Sequence, residues 1–126
     1  MCIDHCINKM ISKLFTRICR NYHSKVVASA AEAVKPIQDG AEIAVGGFGL
    51  CGNPLNLIEA VYDKKVKDLT LISNDSGTER EGLGILFRNG QVKKMYLSYA
   101  GENKFSSTAF LNGALELIFT PQGTLA

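Results

Sequence analysis

Hydrophobic positions along this chain repeat with two different periods. Near the start, Ile3, Ile7, Met10, Ile11, Leu14, Phe15 and Ile18 recur at helical spacing, with Lys9, Lys13, Arg17 and Arg20 between them, which is the pattern of an amphipathic helix. From Lys25 onward, strand-like runs take turns with helix-like ones. "VVASAAEAV" (Val26 to Val34) is rich in alanine and predicts a helix, which Pro36 and then Asp39-Gly40 stop and turn. "EIAV" (Glu42 to Val45) predicts a short strand. Asn53 is expected to cap a helix whose first position is Pro54, where a missing amide hydrogen costs nothing, and Leu57, Ile58, Val61 and Tyr62 supply its apolar face. Further strands are predicted at Leu69 to Ser73, Lys93 to Tyr99 and Leu115 to Phe119, separated by a short helix ending at Gly90 and another over Ser106 to Leu111. Strands separated by helices imply an α/β fold, an open and mainly parallel sheet of about four strands with right-handed crossovers and helices on both faces.

Composition narrows the classes of partner. The 126 residues, 46% hydrophobic and 21% charged, suit one folding domain. No run approaches the ~18 uninterrupted apolar residues of a membrane-crossing helix, so no membrane partner is expected. The net charge of +2 hides an asymmetry: residues 1–25 hold five Lys/Arg against one acid, and the remainder holds nine basic and eleven acidic residues. A body with interspersed signs lacks the basic stripe that nucleic acid requires. The acid-poor, Arg-containing start has the profile of a mitochondrial transit peptide, and "RNYHS" (Arg20 to Ser24) resembles a matrix processing site with cleavage after Tyr22. The expected division is therefore a leader over residues 1–24, directing the protein to the mitochondrial matrix, and a body over 25–126. A basic amphipathic helix that binds a partner or a membrane surface is the alternative. Cys2, Cys6 and Cys19 lie in the leader, which leaves Cys51 alone in the body and no disulfide within it. Cys2, His5 and Cys6 fall short of the four ligands of a closed zinc site, so no metal is expected. Cys51 is expected to be a small buried packing residue.

"EIAVGGFGLCGNP" (Glu42 to Pro54) carries the chemistry. Gly47, Gly49 and Gly52 are spaced G-x-G-x-x-G after a strand, and Asp75, at the end of the next strand, could accept hydrogen bonds from a ribose. A nucleotide-binding oxidoreductase is thus one reading. Against it, Asn53-Pro54 starts the helix after the third glycine, whereas a dinucleotide cradle starts its helix within the motif. A wider turn with several exposed backbone amides fits better. Glycines that merely let a strand turn into a helix are a third possibility.

More of the chain resembles a known family. "DGAEIAVGGFGLCGNP" (Asp39 to Pro54) is similar to the signature of the first subunit, or first half, of family I coenzyme A transferases. "LISNDSG" (Leu71 to Gly77), "GLGILFRNGQVKKM" (Gly82 to Met95), "SYAGEN" (Ser98 to Asn103) and "TPQGTLA" (Thr120 to Ala126) resemble the family's later blocks in order, and the likeness is greatest to transferases acting on succinyl-CoA and 3-oxo acids. The last block reads as a domain cut short.

The resemblance implies an enzyme that moves CoA between carboxylic acids, with CoA as a substrate and no permanently bound cofactor. It implies an acyl pocket formed by Asn74 and Gln122 beside the loop of Gly46, Gly47, Phe48, Gly49 and Gly52, with Glu102, Asn103 and Pro54 in support. The catalytic glutamate belongs to a "SENG" block that this sequence lacks, so the resemblance implies a second CoA-transferase domain as partner and a homo-oligomer at full length. No residue here is assigned as the nucleophile; Glu102 is not one. The isolated chain is expected to be inactive and of marginal stability. Asp75 departs from the second asparagine usual in the family, and a carboxylate there would repel an anionic substrate unless protonated or paired. A sugar-phosphate isomerase with a similar sheet and a non-catalytic chain that pairs with the missing half remain as alternatives.

Overall fold

The computed structural model describes residues 26–101 and 103–126. Residues 1–24, expected to form a leader, and Glu102 lie outside the described residues. Four strands form one sheet: β1 (Glu42–Ala44), β2 (Leu69–Ile72), β3 (Val92–Leu97) and β4 (Glu116–Phe119). All neighbours are parallel and the spatial order follows the chain, β1-β2-β3-β4. Among the described residues five helices accompany them: α1 (Ala30–Ala33), α2 (Leu55–Lys64), α3 (Gly84–Arg88), α4 (Lys104–Leu111) and α5 (Gln122–Leu125). This is the open parallel α/β sheet expected from the alternating pattern.

The two-residue period of each strand decides which face is buried. Ile43, Leu71, Met95 and Leu117 sit in register across the sheet. Leu71 and Met95 are fully buried in one cluster with Leu69, Leu97, Ile58 and Val61 of α2, and Leu83, Leu86 and Phe87 at α3. Each such side chain withdrawn from water contributes about 1.5–3 kcal/mol. The next register row, Ala44, Ile72, Tyr96 and Ile118, points the other way and is only partly covered. Helical cover is therefore uneven. The helices linking the strands pack on the Leu71 face, while α5 reaches the opposite face, where Leu125 borders a cleft with Ile72 and Tyr96.

Helix ends differ from the sequence expectation in instructive ways. The helix expected from Val26 is confined to Ala30–Ala33, because the Ser29 hydroxyl accepts from the Glu32 amide at 3.2 Å and makes Ser29 the cap. Helix α2 starts at Leu55 with Pro54 as its cap residue, and Asn53 makes no capping bond; the Asn53 amide instead donates to Gly49 O at 2.6 Å. Helix α4 begins at Lys104, earlier than the apolar pattern indicated, because Asn103 caps it.

Two polar side chains bind elements together. Gln91, almost wholly buried, donates to Val61 O at 3.1 Å and Val66 O at 3.0 Å, the two carbonyls where α2 gives way to β2. The Lys64 ammonium donates to the carbonyls of Val34, Lys35 and Ile37 and fastens the turn after α1 to α2.

Candidate functional site

Parallel strands send all their C-terminal ends to one edge of the sheet, where open α/β folds place ligands. Here that edge brings together Gly46-Gly47 after β1, Asn74-Asp75 after β2, Ser98-Tyr99 after β3 and Gln122 after β4. Asn74 donates to Gln122 Oε1 at 2.7 Å and to Ser98 Oγ at 2.9 Å, and the Ser98 hydroxyl in turn donates to Asn74 O at 3.1 Å. With its Oε1 turned to Asn74, Gln122 keeps Nε2 as a donor without a protein acceptor among the described residues. Asn74 Oδ1 is buried and has no partner among them.

The glycine loop folds back on itself. Phe48 and Cys51 exchange two backbone hydrogen bonds of 2.9 Å each, which makes a tight reversal at Gly49-Leu50. The φ of Gly47 is +131°, and a Cβ there would lie 1.7 Å from Asn53 Oδ1, so the loop requires glycine on both counts. The amides of Gly46, Gly47 and Gly52 have no protein acceptor among the described residues, and the Gly49 amide donates to Asp75 Oδ2 at 2.7 Å.

These residues line two clefts. Gly46, Gly47, Asn74 and Gln122 line one of about 270 Å³, together with Ile72 and Leu125. Phe48, Gly49, Asp75, Glu79 and Tyr99 line a second of about 360 Å³. The first presents amides and no Asp or Glu side chain, so its chemistry suits a carboxylate or carbonyl oxygen. The second contains two acids, of which Glu79 pairs with Lys104 at 3.4 Å, and it is flanked by the exposed rings of Phe48 and Tyr99.

Of the residues singled out from the sequence, Gly46, Gly47, Asn74 and Gln122 converge on one cleft, whereas Phe48 and Gly49 face the other. Gly52 lines neither and stacks under Gly47, and Pro54 borders an apolar pocket below Gly46. Asn103 is fully buried behind the site. It donates to Ser76 O at 3.0 Å and Thr78 O at 3.3 Å while accepting from the Phe105 and Ser106 amides at 3.0 and 3.2 Å. Cys51, expected to be buried, is exposed, because the reversal at Gly49-Leu50 turns it outward. Ser98 escaped sequence reasoning. It stands two residues beyond Tyr96, the β3 register partner of Ile72, and only that parallel register reveals it as the neighbour of Asn74. Gly84 was missed too: a Cβ there would lie 1.5 Å from Thr78 O, so α3 can pack on the loop after β2 only through glycine.

The dinucleotide reading loses its acid in this geometry. Asp75 Oδ1 accepts from the Gly77 amide at 2.7 Å and Oδ2 from Gly49, so both oxygens already serve the backbone. Comparison with protein families agrees, since the model described as "Coenzyme A transferase" matches residues 27–126. The chain belongs to the coenzyme A transferase family. A Bacillus subtilis subunit of a probable succinyl-CoA:3-ketoacid coenzyme A transferase is 53% identical over 102 residues, 81% of this chain and 43% of that protein. A human protein, succinyl-CoA:3-ketoacid coenzyme A transferase 2, mitochondrial, is 50% identical over 103 residues, 82% of this chain and 20% of that one. Among solved structures, an Escherichia coli O157:H7 acyl-CoA transferase in a thioester complex with CoA superposes with a TM-score of 0.62 at 30% identity, covering 75% of this chain and 20% of that one. This coenzyme A transferase chain thus spans less than half the length of these relatives.

Proposed function

We propose that this chain supplies the carboxylate-recognising half of a CoA transferase that exchanges CoA between succinyl-CoA and a 3-oxo acid such as acetoacetate, a step of ketone-body metabolism. The observation that carries the proposal is the Asn74–Gln122 hydrogen bond beside Gly46-Gly47. It aligns side-chain and backbone donors around a small cleft with no Asp or Glu side chain in its lining. Family membership supports the reaction class, and the names of the bacterial and mitochondrial relatives support the acyl groups.

In the chemistry the family implies, a glutamate oxygen attacks the thioester carbonyl and CoA leaves as thiolate, forming a mixed anhydride. The thiolate then attacks the glutamyl carbonyl, the first acid departs as carboxylate, and CoA is held as a glutamyl thioester. A second carboxylate reverses the sequence and leaves as the new acyl-CoA. Each tetrahedral intermediate carries an oxyanion, and each free acid carries a carboxylate. Gln122 Nε2 and the Gly46 and Gly47 amides are the donors this chain offers them. The nucleophile comes from a second CoA-transferase domain or polypeptide, and CoA enters as substrate.

Assignment of residues 1–24 as a leader for the mitochondrial matrix belongs to the same proposal. The composition of those residues and the mitochondrial human relative support it. Assembly into a homo-oligomer at full length is likewise part of the proposal.

The chain labelled with 15N tests this reading directly. Acetoacetate and succinate should shift the Gly46, Gly47 and Gln122 side-chain amide signals, and NAD should shift none. CoA transfer should be absent from the chain alone and arise only with a glutamate-bearing second polypeptide. Saturable NAD binding, or carboxylates that leave those signals unmoved, would refute the proposal.

A further inference from the structure

Asn74 and Asp75 are consecutive, yet they face different clefts. Asn74 faces the amide-lined one. Asp75 grips the loop that forms the wall between them. Its two carboxylate oxygens each receive one backbone amide at 2.7 Å, Gly49 from the glycine loop and Gly77 from the loop after β2. The peptides around Gly49 are held from both sides, because Gly49 O accepts from Asn53 while Gly49 N–H donates to Asp75. The anchor at the other end is firm: Ser76 O and Thr78 O are held by buried Asn103, and the Ser76 hydroxyl donates to Ala100 O at 2.9 Å. Among the described residues no cation pairs with Asp75, so backbone amides alone hold its charge.

We infer that Asp75 is a positioning residue whose carboxylate ties the glycine loop to the loop after β2 and thereby sets where Gly46 and Gly47 stand opposite Asn74 and Gln122. The inference rests on the carboxylate-binding reading of that cleft. Only a carboxylate can do this with both arms, since it accepts at either oxygen. An asparagine side chain would accept one amide and turn its own NH₂ toward the other. The two bonds are charge-assisted, the stronger class of hydrogen bond, and the one to Gly49 spans twenty-six residues of sequence. Asp75 itself lines the other cleft, so its carboxylate is turned to the two loop amides and not into the amide-lined cleft.

Amide hydrogen exchange on the 15N-labelled chain tests this, with Met95 at the centre of the sheet as control. In Asp75→Ala, exchange at Gly49 and Gly77 should quicken roughly tenfold or more relative to Met95, the factor one charge-assisted hydrogen bond supplies. In Asp75→Asn, one of the two should quicken and the other stay protected. Should Asp75→Ala not fold, Asp75→Asn decides alone, by the same criterion at either glycine. With a glutamate-bearing second polypeptide, kcat/KM for the accepting acid should fall about tenfold in Asp75→Ala, through KM and kcat together because the displaced amides serve both carboxylate and oxyanion, and Asp75→Asn, which keeps one of the two bonds, should fall less. Exchange at Gly49 and Gly77 that stays within about twofold of the unsubstituted chain, or that changes only in step with Met95, would overturn the inference. An unsubstituted chain that transfers no CoA with that polypeptide would overturn the function instead and leave the exchange result standing.

Discussion

Removing the Asn103 side chain should destabilise the protein more than any other single polar truncation behind the site. The side chain is wholly buried and makes four hydrogen bonds. Its Oδ1 caps α4 through Phe105 and Ser106, and loss of a helix cap costs about 1 kcal/mol. Its Nδ2 serves Ser76 O and Thr78 O, and stranding buried carbonyls adds about 1–3 kcal/mol. Asn103→Ala should therefore lower stability by about 2–4 kcal/mol, a large share of the roughly 5–15 kcal/mol typical of a domain. The matching fall in Tm is roughly 10–25 °C. Asn103→Asp separates the two terms, for it keeps the capping oxygen but aims a buried anion at two carbonyl oxygens. It should be at least as unstable as the alanine variant at neutral pH. Urea unfolding followed by circular dichroism measures both, and an Asn103→Ala chain within about 0.5 kcal/mol of the unsubstituted one, or an Asn103→Asp chain as stable as it, would refute the reasoning.

Three further outcomes are expected. Gly47→Ala forces a Cβ into Asn53 Oδ1 and an unfavourable φ, so the loop must shift; about 1–3 kcal/mol of stability should go, and acid-induced amide shifts at Gly46 should vanish while the core amide signals stay in place. Gln91→Leu preserves bulk but strands Val61 O and Val66 O, which should cost about 2 kcal/mol in a denaturant melt; a neutral result would show that other donors reach them. On the open sheet face, Lys94 is held above its ordinary value of 10.5 by its hydrogen bond to Glu116, against some desolvation and aided by the Glu116 charge. Because the folded value is the raised one, this contribution is complete below the ordinary lysine value and is lost as pH climbs through the folded one. NMR titration should show the Lys94 midpoint falling back in Glu116→Gln, and an unmoved midpoint would contradict the assignment.

Local chemistry wrote much of the fold openly. Leu69 with Leu71 and Met95 with Leu97 alternate as half-buried strands must, and Ile58 with Val61 recur as one face of a helix. Helix starts were less legible where a cap rather than an apolar pattern set them. Ser29 shortened α1 and Asn103 lengthened α4, and a cap shows itself only when its oxygen meets the amide two or three residues on. The resemblance grouped Asn74 and Gln122 with the glycine loop, but the division of that loop between two clefts was not legible. Whether Asn74 and Asp75 share a pocket depends on the path of the loop after β2, and whether Ser98 and Gln122 reach Asn74 depends on a register set by rows such as Ile72, Tyr96 and Ile118.

By itself the sequence determined the period of each element, the glycine at each sharp turn and the blocks that mark the family. Those depend on residues a few positions apart, whose sterics and local hydrogen bonds act before the chain is compact. Only the tertiary structure decided that Asp75 serves the glycine loop, that Ser98 braces Asn74 and that Cys51 stands in solvent. The first two contacts join segments more than twenty residues apart, and hydrogen bonds of about 3 Å exist only after strand register and helix packing have placed both partners.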